Sequence, residues 1–352
     1  MKSKILGSLI LLIMVLTGTG YFIYQQNAAV TTLDGYLGGE KIGLFEDKEI
    51  QKILKSDYHL VMEYSKAGSF DMVKADSTDR NYLFPSSQTA FEYYQEVKGT
   101  PVSNEIIFNT PLVLYTHKAV VDALIEQGVA TCTDGVYYAD MTKFTSLLLD
   151  EKTWSDVGLP QLYGTISVDT TDPVHSNSGN MFAALIANVL NNGKTVTLPD
   201  LDGITSDLQK IFSQIGYMET SSSDLFRQFI QTGIGAKPII AGYENQLLEY
   251  AAEHPKDYKS IKDDIVILYP TPTVWSTHIY IALDEQGKQG IEALSDEKIQ
   301  KLAWDNHGFR TNQYKINTDS QKGKVSGVPE EIVSAIKLPS YTTMKAIQTC
   351  LP

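Results

Sequence analysis

Small polar residues precede an apolar, helix-like run at "DPVHSNSGNMFAALIANVL", residues 172–190. Ser176, Asn177 and Ser178 stand where the free N–H groups of a first helical turn need acceptors. The same N–H groups, together with the helix dipole, also favour a bound carboxylate or oxyanion. The stretch therefore predicts either a plain helix cap or a ligand contact, and it matches no catalytic signature.

Other polar loops follow strand-like segments in the same way. In an α/β sheet such loops lie beyond the carboxyl ends of the strands, where ligands bind. A single serine there is usually only a cap, and a tyrosine or tryptophan is usually a packed core residue. The recurrence of these loops nevertheless favours ligand binding. The candidates are Ser65, Gly68, Ser69, Ser86, Ser87, Ser176, Asn177, Ser178, Tyr243, Glu244, Tyr269, Thr273 and Trp275.

Signatures of enzymes are missing from the sequence. It contains no Gly-x-Ser-x-Gly elbow, no Walker-type loop and no His-Glu-x-x-His. Ser295 to Lys298 has the Ser-x-x-Lys form, but Ser295 is a natural cap for the helix predicted there. The six histidines show no close pairing and neither cysteine lies in a Cys-x-x-Cys, which argues against a zinc site. We therefore expect no enzyme activity, no cofactor and no resident metal.

Length, composition and charge restrict the class of protein. The chain has 352 residues, 43% hydrophobic and 20% charged, which is typical of a globular protein large enough for two lobes. Its net charge of −13 repels phosphate backbones, so we expect no nucleic-acid partner.

The N-terminus carries a targeting signal. Lys2 and Lys4 precede the apolar residues 5–24, about the length that spans a bilayer, and the lysines place the N-terminus inside. A cleaved signal peptide is the alternative, but no Ala-x-Ala site follows, which favours an uncleaved transmembrane anchor over residues 1–28. Both alternatives place the body of the chain outside the cell membrane, after a polar linker at residues 29–39.

Export to an oxidising compartment gives the two cysteines a potential role. Cys132 and Cys350 allow one disulfide, but the sequence does not show whether their Cα atoms approach closely enough. A bridge and two free thiols both remain open.

Strand-like and helix-like segments alternate along the chain, which predicts an α/β protein with mostly parallel sheets. Strands are predicted at "EKIGLF" (40–45) and "YGTISVDTTDP" (163–173), among others. Helices are predicted between them. No internal repeat interrupts this alternation.

Three segments, in this order and spacing, resemble the type II solute-binding proteins of ABC transporters, in particular the molybdate- and iron-binding group. They are "NTPLVLYTH", "GTISVDTTDPVHSNSGNMF" and "VILYPTPTVWSTHIYIAL", within residues 40–310. The resemblance implies a two-lobed Venus-flytrap fold with a central mixed sheet in each lobe. Lobe I would comprise residues 40–113 and 279–352, including a C-terminal helical extension, and lobe II residues 114–278.

The resemblance also implies a function and a partner. A small molecule or ion would bind between the lobes, with Asn109 added to the candidates above, and an ABC transporter permease would be the protein partner. One difference from the family pattern is Phe45-Glu46-Asp47 after the predicted first strand, where oxyanion binders have a hydroxyl-rich turn. This difference argues against an oxyanion ligand.

The sequence thus favours a membrane-tethered extracellular protein that captures a solute for an ABC-type transporter. The alternative is an envelope scaffold or sensor that keeps the same fold without transport. An enzyme on this fold is a third hypothesis, but no nucleophile–base pair supports it.

Overall fold

The computed structural model describes residues 13–15, 17, 29–311 and 324–352, and within these ranges nine strands pair through one long strand, β4. The strands are β1 (Thr31–Leu37), β2 (Leu60–Lys66), β3 (Tyr82–Phe84), β4 (Ser103–His117), β5 (Ala130–Thr133), β6 (Val136–Asp140), β7 (Ile239–Tyr243), β8 (Ile265–Thr271) and β9 (Trp275–Ala282).

Helices fill most of the connections between the strands. They are α1 (Ile42–Glu46), α2 (Lys48–Asp57), α3 (Ser69–Lys74), α4 (Gln88–Lys98), α5 (Lys118–Glu126), α6 (Met141–Leu149), α7 (Asn177–Leu190), α8 (Leu201–Ser213), α9 (Ser222–Thr232), α10 (Glu244–Glu253), α11 (Pro255–Ile261), α12 (Lys288–Leu294), α13 (Glu297–His307) and α14 (Tyr341–Cys350). Short 3-10 turns lie at Gly39–Lys41, Ser155–Val157 and Leu198–Asp200.

The long strand β4 passes from one half of the sheet to the other. Its first part pairs antiparallel with β9, as far as Pro111 opposite Trp275. From Leu112 onward it pairs with β7 and then also with β8. We call the half formed by β2, β1, β3 and β9 lobe I, and the half formed by β7, β8, β6 and β5 lobe II.

Each lobe has its own apolar core. Leu33 and Leu37 of β1 pack with Phe84 and Tyr280 in lobe I. The larger core of lobe II surrounds α7, which is buried on almost every face. A helix that is apolar all round must lie inside its domain. Packing along most of the length of α7 therefore fixes where this helix begins.

The first strand begins earlier than the sequence patterns predicted. Residues 31–37, assigned to a linker at 29–39, form β1, which pairs in parallel with β2 and β3. The strand predicted at 40–45 is wrong, because Ile42–Glu46 forms a single helical turn that buries Leu44 and Phe45. The loop after the first strand is therefore Gly38–Lys41 and not Phe45–Asp47.

Two further expectations are corrected. The sheet is mixed, as the resemblance implied, but β1–β2, β1–β3 and β6–β8 are its only parallel pairs among the described strands. Residues 163–173 form no strand, because they make only isolated bridges, at Thr165, Asp169 and Thr171.

The sequence predicts that the C-terminal helix belongs to lobe I. The structure differs, because this helix contacts both lobes. In α14, Met344 and Ile347 pack into the core of lobe II. At the start of the same helix, Tyr341 stacks on Tyr93 of α4 in lobe I, with ring centroids 4.6 Å apart.

The sequence did not decide whether Cys132 and Cys350 form a disulfide. In the structure both are free thiols. Cys132 is exposed on β5, whereas Cys350 ends α14 beside Thr205 of α8. The segment predicted to span the membrane, residues 5–24, lies outside the described residues except at 13–15 and 17. Within the part that is described, no helix is long and apolar enough to cross a bilayer.

A buried histidine joins the lobes through two carboxylates. His307, at the end of α13, contacts Glu249 of α10 through Nδ1 at 2.7 Å and Asp47 of lobe I through Nε2 at 3.1 Å. Burial alone would lower the pKa of His307, but these hydrogen bonds and the two negative charges outweigh burial and raise that pKa to about 9. At neutral pH the His307 ring is therefore protonated, and its positive charge lies between the two carboxylates.

We predict that Gly179→Ala destabilises the protein. A Cβ at position 179 would overlap the carbonyl oxygen of Thr171, and a backbone atom cannot move aside as a flexible side chain can. The free energy of unfolding, measured in urea, should fall by about 1–3 kcal/mol. Gly203→Ala in α8 is the control, because a Cβ there meets nothing within 4 Å and should stabilise by up to about 1 kcal/mol. Equal effects of the two substitutions would contradict this account.

We also predict that stability falls between about pH 6.5 and pH 9. Because the folded pKa of His307 lies above the unfolded value of 6.5, its contribution is complete below pH 6.5 and is lost as the pH rises through 9. The loss should amount to about 3 kcal/mol in the free energy of unfolding. His307→Gln should lack this component, whereas His254→Gln, at an exposed histidine, should keep it. A wild-type profile that is flat over this range would show the prediction to be wrong.

Candidate functional site

A polar cleft of about 510 Å³ lies between the two lobes. Lobe I contributes the loops after β1 and β2, and lobe II contributes the loops that precede α7 and α9. The residues that line the cleft are Gly38, Gly39, Glu40, Lys66, Ala67, Gly68, Ser69, Asp71, His175, Ser176, Asn177, Thr220, Ser221, Ser222, Asp224 and Tyr243.

Two helices of lobe II begin at the cleft with serines that do not cap them. Ser176 precedes α7 and Ser221 precedes α9, and neither side chain accepts a hydrogen bond from its own helix. The hydroxyl of Ser176 instead contacts Ser178 at 3.2 Å, and that of Ser221 accepts from Lys66 across the cleft at 3.3 Å. The first-turn N–H groups of α9 and the Ser221 hydroxyl are therefore available to a ligand.

Asn177 forms a direct link between the lobes at the floor of the cleft. Its side-chain Nδ2 donates to the carbonyl oxygen of Ser86 in lobe I at 2.7 Å and to Tyr243 Oη at 3.0 Å. Its Oδ1 is buried and accepts no hydrogen bond. The loops also approach closely at Gly68, where a Cβ would lie 2.7 Å from the carbonyl oxygen of His175.

A buried ion pair closes the lobe I side of the cleft. Lys41 is 0% exposed and its Nζ contacts the Oε1 of Glu40, the Oγ of Ser86 at 2.8 Å and the Nδ1 of His278 at 3.2 Å. Ser86 Oγ also donates to Glu40 Oε1, and the Ser86 N–H donates to Ser69 Oγ at 3.0 Å. The Glu40 carboxylate faces the cleft, and the ammonium group lies behind it.

The electrostatics of this pair follow from burial and proximity. Burial alone would raise the pKa of Glu40, but attraction to Lys41 and the hydrogen bonds from Lys41 and Ser86 outweigh it and lower that pKa to about 2. Burial lowers the pKa of Lys41, and attraction to Glu40 opposes this shift. Glu40 is therefore ionised at neutral pH.

His278 completes this network as a neutral acceptor. Burial and, to a smaller extent, repulsion from Lys41 lower the pKa of His278 well below the ordinary histidine value. Its Nδ1 can then accept from Lys41, while its Nε2 faces Ser276 Oγ at 3.4 Å. Ser276 in turn donates to the carbonyl oxygen of Ser86 at 2.8 Å. The position of Ser86 is thus fixed from several directions.

Six of the fourteen residues predicted as ligand contacts come together at the cleft. Five line it directly and Ser86 lies just below them. They are Gly68, Ser69, Ser86, Ser176, Asn177 and Tyr243. A role for each of them in binding remains a prediction.

The other eight predicted residues lie elsewhere. Ser65 lies in β2 and pairs with the neighbouring strand β1. Ser87 caps α4, and Ser178 is buried against Thr171. Thr273 is fixed by bonds to the backbone of Leu112 and Ser334, and Asn109 and Trp275 line a separate cavity beside the C-terminal segment. None of these six residues lines the cleft between the lobes.

Glu244 and Tyr269, the remaining two, belong to a buried ion pair outside the cleft. Arg310 donates to both carboxylate oxygens of Glu244, at 2.6 and 2.9 Å, and Tyr269 Oη donates to one of them at 2.7 Å. Arg310 also donates to the carbonyl oxygens of Pro329 and Glu330. This bidentate pair therefore attaches the C-terminal segment to the start of α10.

One group of side chains in the described ranges could hold a metal ion. Ligand atoms of Glu249, Glu253 and His307 lie within 4.8 Å of one another. Both ring nitrogens of His307 already contact carboxylates, so an ion would have to displace the proton that His307 shares with Glu249. The ion pair described above accounts for His307 and Glu249, whereas Glu253 is not part of it.

The sequence patterns missed Glu40, Lys41, Ser221 and Ser222. The sequence patterns place Glu40 and Lys41 inside a strand. Ser221 and Ser222 lie at the start of α9, a helix that these patterns do not predict. The signal that could have found the first pair is Gly38-Gly39 after an alternating strand, since glycines there indicate a loop that approaches other groups closely.

Comparisons with known proteins identify the fold. No family model matches the sequence, and no match to a curated protein was found. Among solved structures, a periplasmic thiamin-binding protein is similar with a TM-score of 0.61 and 8% identity, over 91% of this chain and 94% of that one. The sulfate-binding protein SubI of Mycobacterium tuberculosis gives 0.58 and 14%, over 87% and 94%.

A third similar structure is the periplasmic binding protein AfuA of Actinobacillus pleuropneumoniae, with fructose 6-phosphate bound. It gives a TM-score of 0.56 and 13% identity, over 90% of this chain and 96% of that one. These similarities cover most of this chain and of each of the three similar structures. The chain therefore has the two-lobed α/β fold of the periplasmic substrate-binding proteins of ABC transporters, the type II fold that its sequence resembles.

Proposed function

We propose that the protein is an extracytoplasmic solute-binding protein, which captures a small ligand between its lobes and presents it to an ABC-type transporter. The observation that carries this proposal is the cleft itself, lined by polar groups from both lobes. A ligand that contacts both walls would favour the closed arrangement over an open one, and closure is the change that a transporter could recognise.

The two serines that do not cap their helices support ligand binding. A serine before a helix normally satisfies the first-turn N–H groups, which contributes about 1 kcal/mol to stability. Ser176 and Ser221 do not make this contribution, although both stand at the cap position. Hydroxyls placed at the cap without capping are suited to another partner, and both of these face the cleft.

Similar proteins and the N-terminus support the transport role. The structures that share the fold include proteins named for binding thiamin and sulfate, which are chemically unlike each other. The fold therefore indicates capture of a solute without indicating which one. Residues 5–24 would anchor the protein to the outer face of the cell membrane, close to a permease.

We predict that Ser176→Ala weakens ligand binding about fivefold to tenfold, the effect of losing one hydrogen bond. The full-length protein, purified gently, should carry a small adduct in native mass spectrometry. After the ligand has been released and identified, calorimetric titration would give its affinity for each variant. The free energy of unfolding should change little, because Ser176 does not cap α7.

Ser87→Ala is the matched control for this substitution. The Ser87 hydroxyl accepts from the Ala90 N–H at 3.3 Å and caps α4, so its loss should cost about 1 kcal/mol of stability and leave affinity unchanged. If Ser176→Ala lowers stability instead and leaves affinity intact, Ser176 is a structural residue and this use of the cleft is contradicted.

The envelope scaffold is the second candidate, and the direct contacts between the lobes favour it. Asn177 bonds to Ser86, and His307 bonds to Glu249, without an intervening group. If these contacts hold the lobes rigidly, small-angle scattering should give the same radius of gyration with and without the released ligand. A decrease in the radius on adding the ligand would support capture and exclude a rigid scaffold.

A further inference from the structure

Two charged side chains of opposite sign give the cleft a polarity. Glu40 faces it from the loop after β1, and Lys66 faces it from the end of β2. The other carboxylates of the lining, Asp71 and Asp224, each lie near a cation of their own helix, at 3.8 Å and 3.3 Å. Those two carboxylates are also about half exposed, so Glu40 is the buried carboxylate of the lining and Lys66 is its lysine.

The Glu40 carboxylate is held so that one oxygen remains for a ligand. Lys41 and Ser86 both contact Oε1, and Oε2 takes no part in those contacts. Lys41 itself is 0% exposed and is not part of the cleft lining. An anion at this end would meet the carboxylate, and the ammonium group behind it would be out of reach.

Asn177 provides a second acceptor and is linked to Glu40 through Ser86, which accepts from Asn177 at its carbonyl oxygen and donates to Glu40 through its hydroxyl. Its residue is 6% exposed and lines the cleft, and its Oδ1 has no hydrogen-bond partner. A buried polar atom without a partner is costly, so a donor at this position would be favoured. The N–H groups of an ammonium ion supply such donors and also balance the charge of Glu40.

The opposite end offers donors to an acidic group. Lys66 Nζ lies 3.3 Å from Ser221 Oγ, at the start of α9, an eleven-residue helix. The helix dipole and the first-turn N–H groups favour a carboxylate there. The two ends are close, because a Cβ on Gly39, the residue before Glu40, would lie 3.4 Å from Lys66 Nζ.

We propose that the cleft binds an α-amino acid, with the ammonium group at Glu40 and Asn177 and the carboxylate at Lys66 and the first turn of α9. This assignment rests on the proposed function, because it requires that the cleft captures a solute. It makes Glu40 the residue that excludes inorganic oxyanions.

Three pools of compounds test this assignment on the full-length protein. The first contains the common L-amino acids, the second their N-acetyl forms without the ammonium group, and the third their amides without the carboxylate. Thermal shift identifies active pools, and calorimetric titration of single compounds gives affinities. Free amino acids should bind at least about tenfold more tightly than either blocked form.

Variants separate the two ends of the cleft. Glu40→Gln should remove the preference for free over N-acetylated compounds, and Lys66→Met the preference for free over amidated ones. Because Glu40→Gln removes the negative charge that an anion would meet at this end, it should also bind inorganic sulfate more tightly than the wild-type protein does. The single variant leaves the buried Lys41 without its counter-charge, which costs stability. The double variant Glu40→Gln with Lys41→Met removes both charges and keeps the test valid if the single variant folds poorly. Glu285→Gln, at an exposed carboxylate, is the matched control and should behave as wild type.

Each result has a distinct meaning. If N-acetylated compounds or sulfate bind the wild-type protein as well as free amino acids do, the assignment is wrong while ligand capture stands. A native adduct without an amino group has the same meaning. If no pool shifts the melting temperature and no adduct is present, ligand capture itself is contradicted, and this assignment with it.

Discussion

One strand, β4, belongs to both lobes, and the geometry of the cleft depends on it. Its first part pairs with β9 and its second part with β7 and β8, so the lobes share a continuous backbone between Pro111 and Leu112. Because β7 ends at Tyr243 beside this crossing, the floor of the cleft is built directly on the shared strand. The loops above it can differ widely in sequence without changing where the lobes meet. This chain and a periplasmic thiamin-binding protein have similar folds at only 8% identity.

The buried pair of Glu40 and Lys41 is the least expected feature of that floor. Removing two charges from water is expensive, and such pairs contribute little net stability unless all their hydrogen-bonding groups are satisfied. Here Ser86 and the neutral His278 provide the additional partners. A pair of apolar residues would fill the same space at lower cost, so stability alone does not account for the pair. The proposed role in choosing the ligand would account for both the charge and its position.

Sequence patterns predicted the architecture better than the site. The alternation of strands and helices indicated an α/β fold. The segment "NTPLVLYTH", which carries part of the family resemblance, lies in the crossing strand β4. Glu40 and Lys41 were missed for a physical reason. Apolar residues at 42, 44 and 45 fit a short strand as well as one helical turn, and only packing against lobe I decides between them. Arg310 and Glu244 are 66 residues apart in the chain, so no local pattern could have paired them.

Whether a serine before a helix is a cap or a ligand contact depends on where its hydroxyl points, which the sequence does not specify. Ser87 and Ser176 occupy the same position relative to their helices, and both have extended backbone. Ser87 bonds to the N–H of Ala90 and so completes its own helix. Ser176 turns instead toward Ser178 and the cleft, because Thr171 already satisfies the N–H of Gly179. Because Thr171 of a neighbouring loop accepts from the first turn of α7, the Ser176 hydroxyl is not needed as a cap. The presence of such a second acceptor distinguishes a serine that can contact a ligand from a serine that only caps its helix.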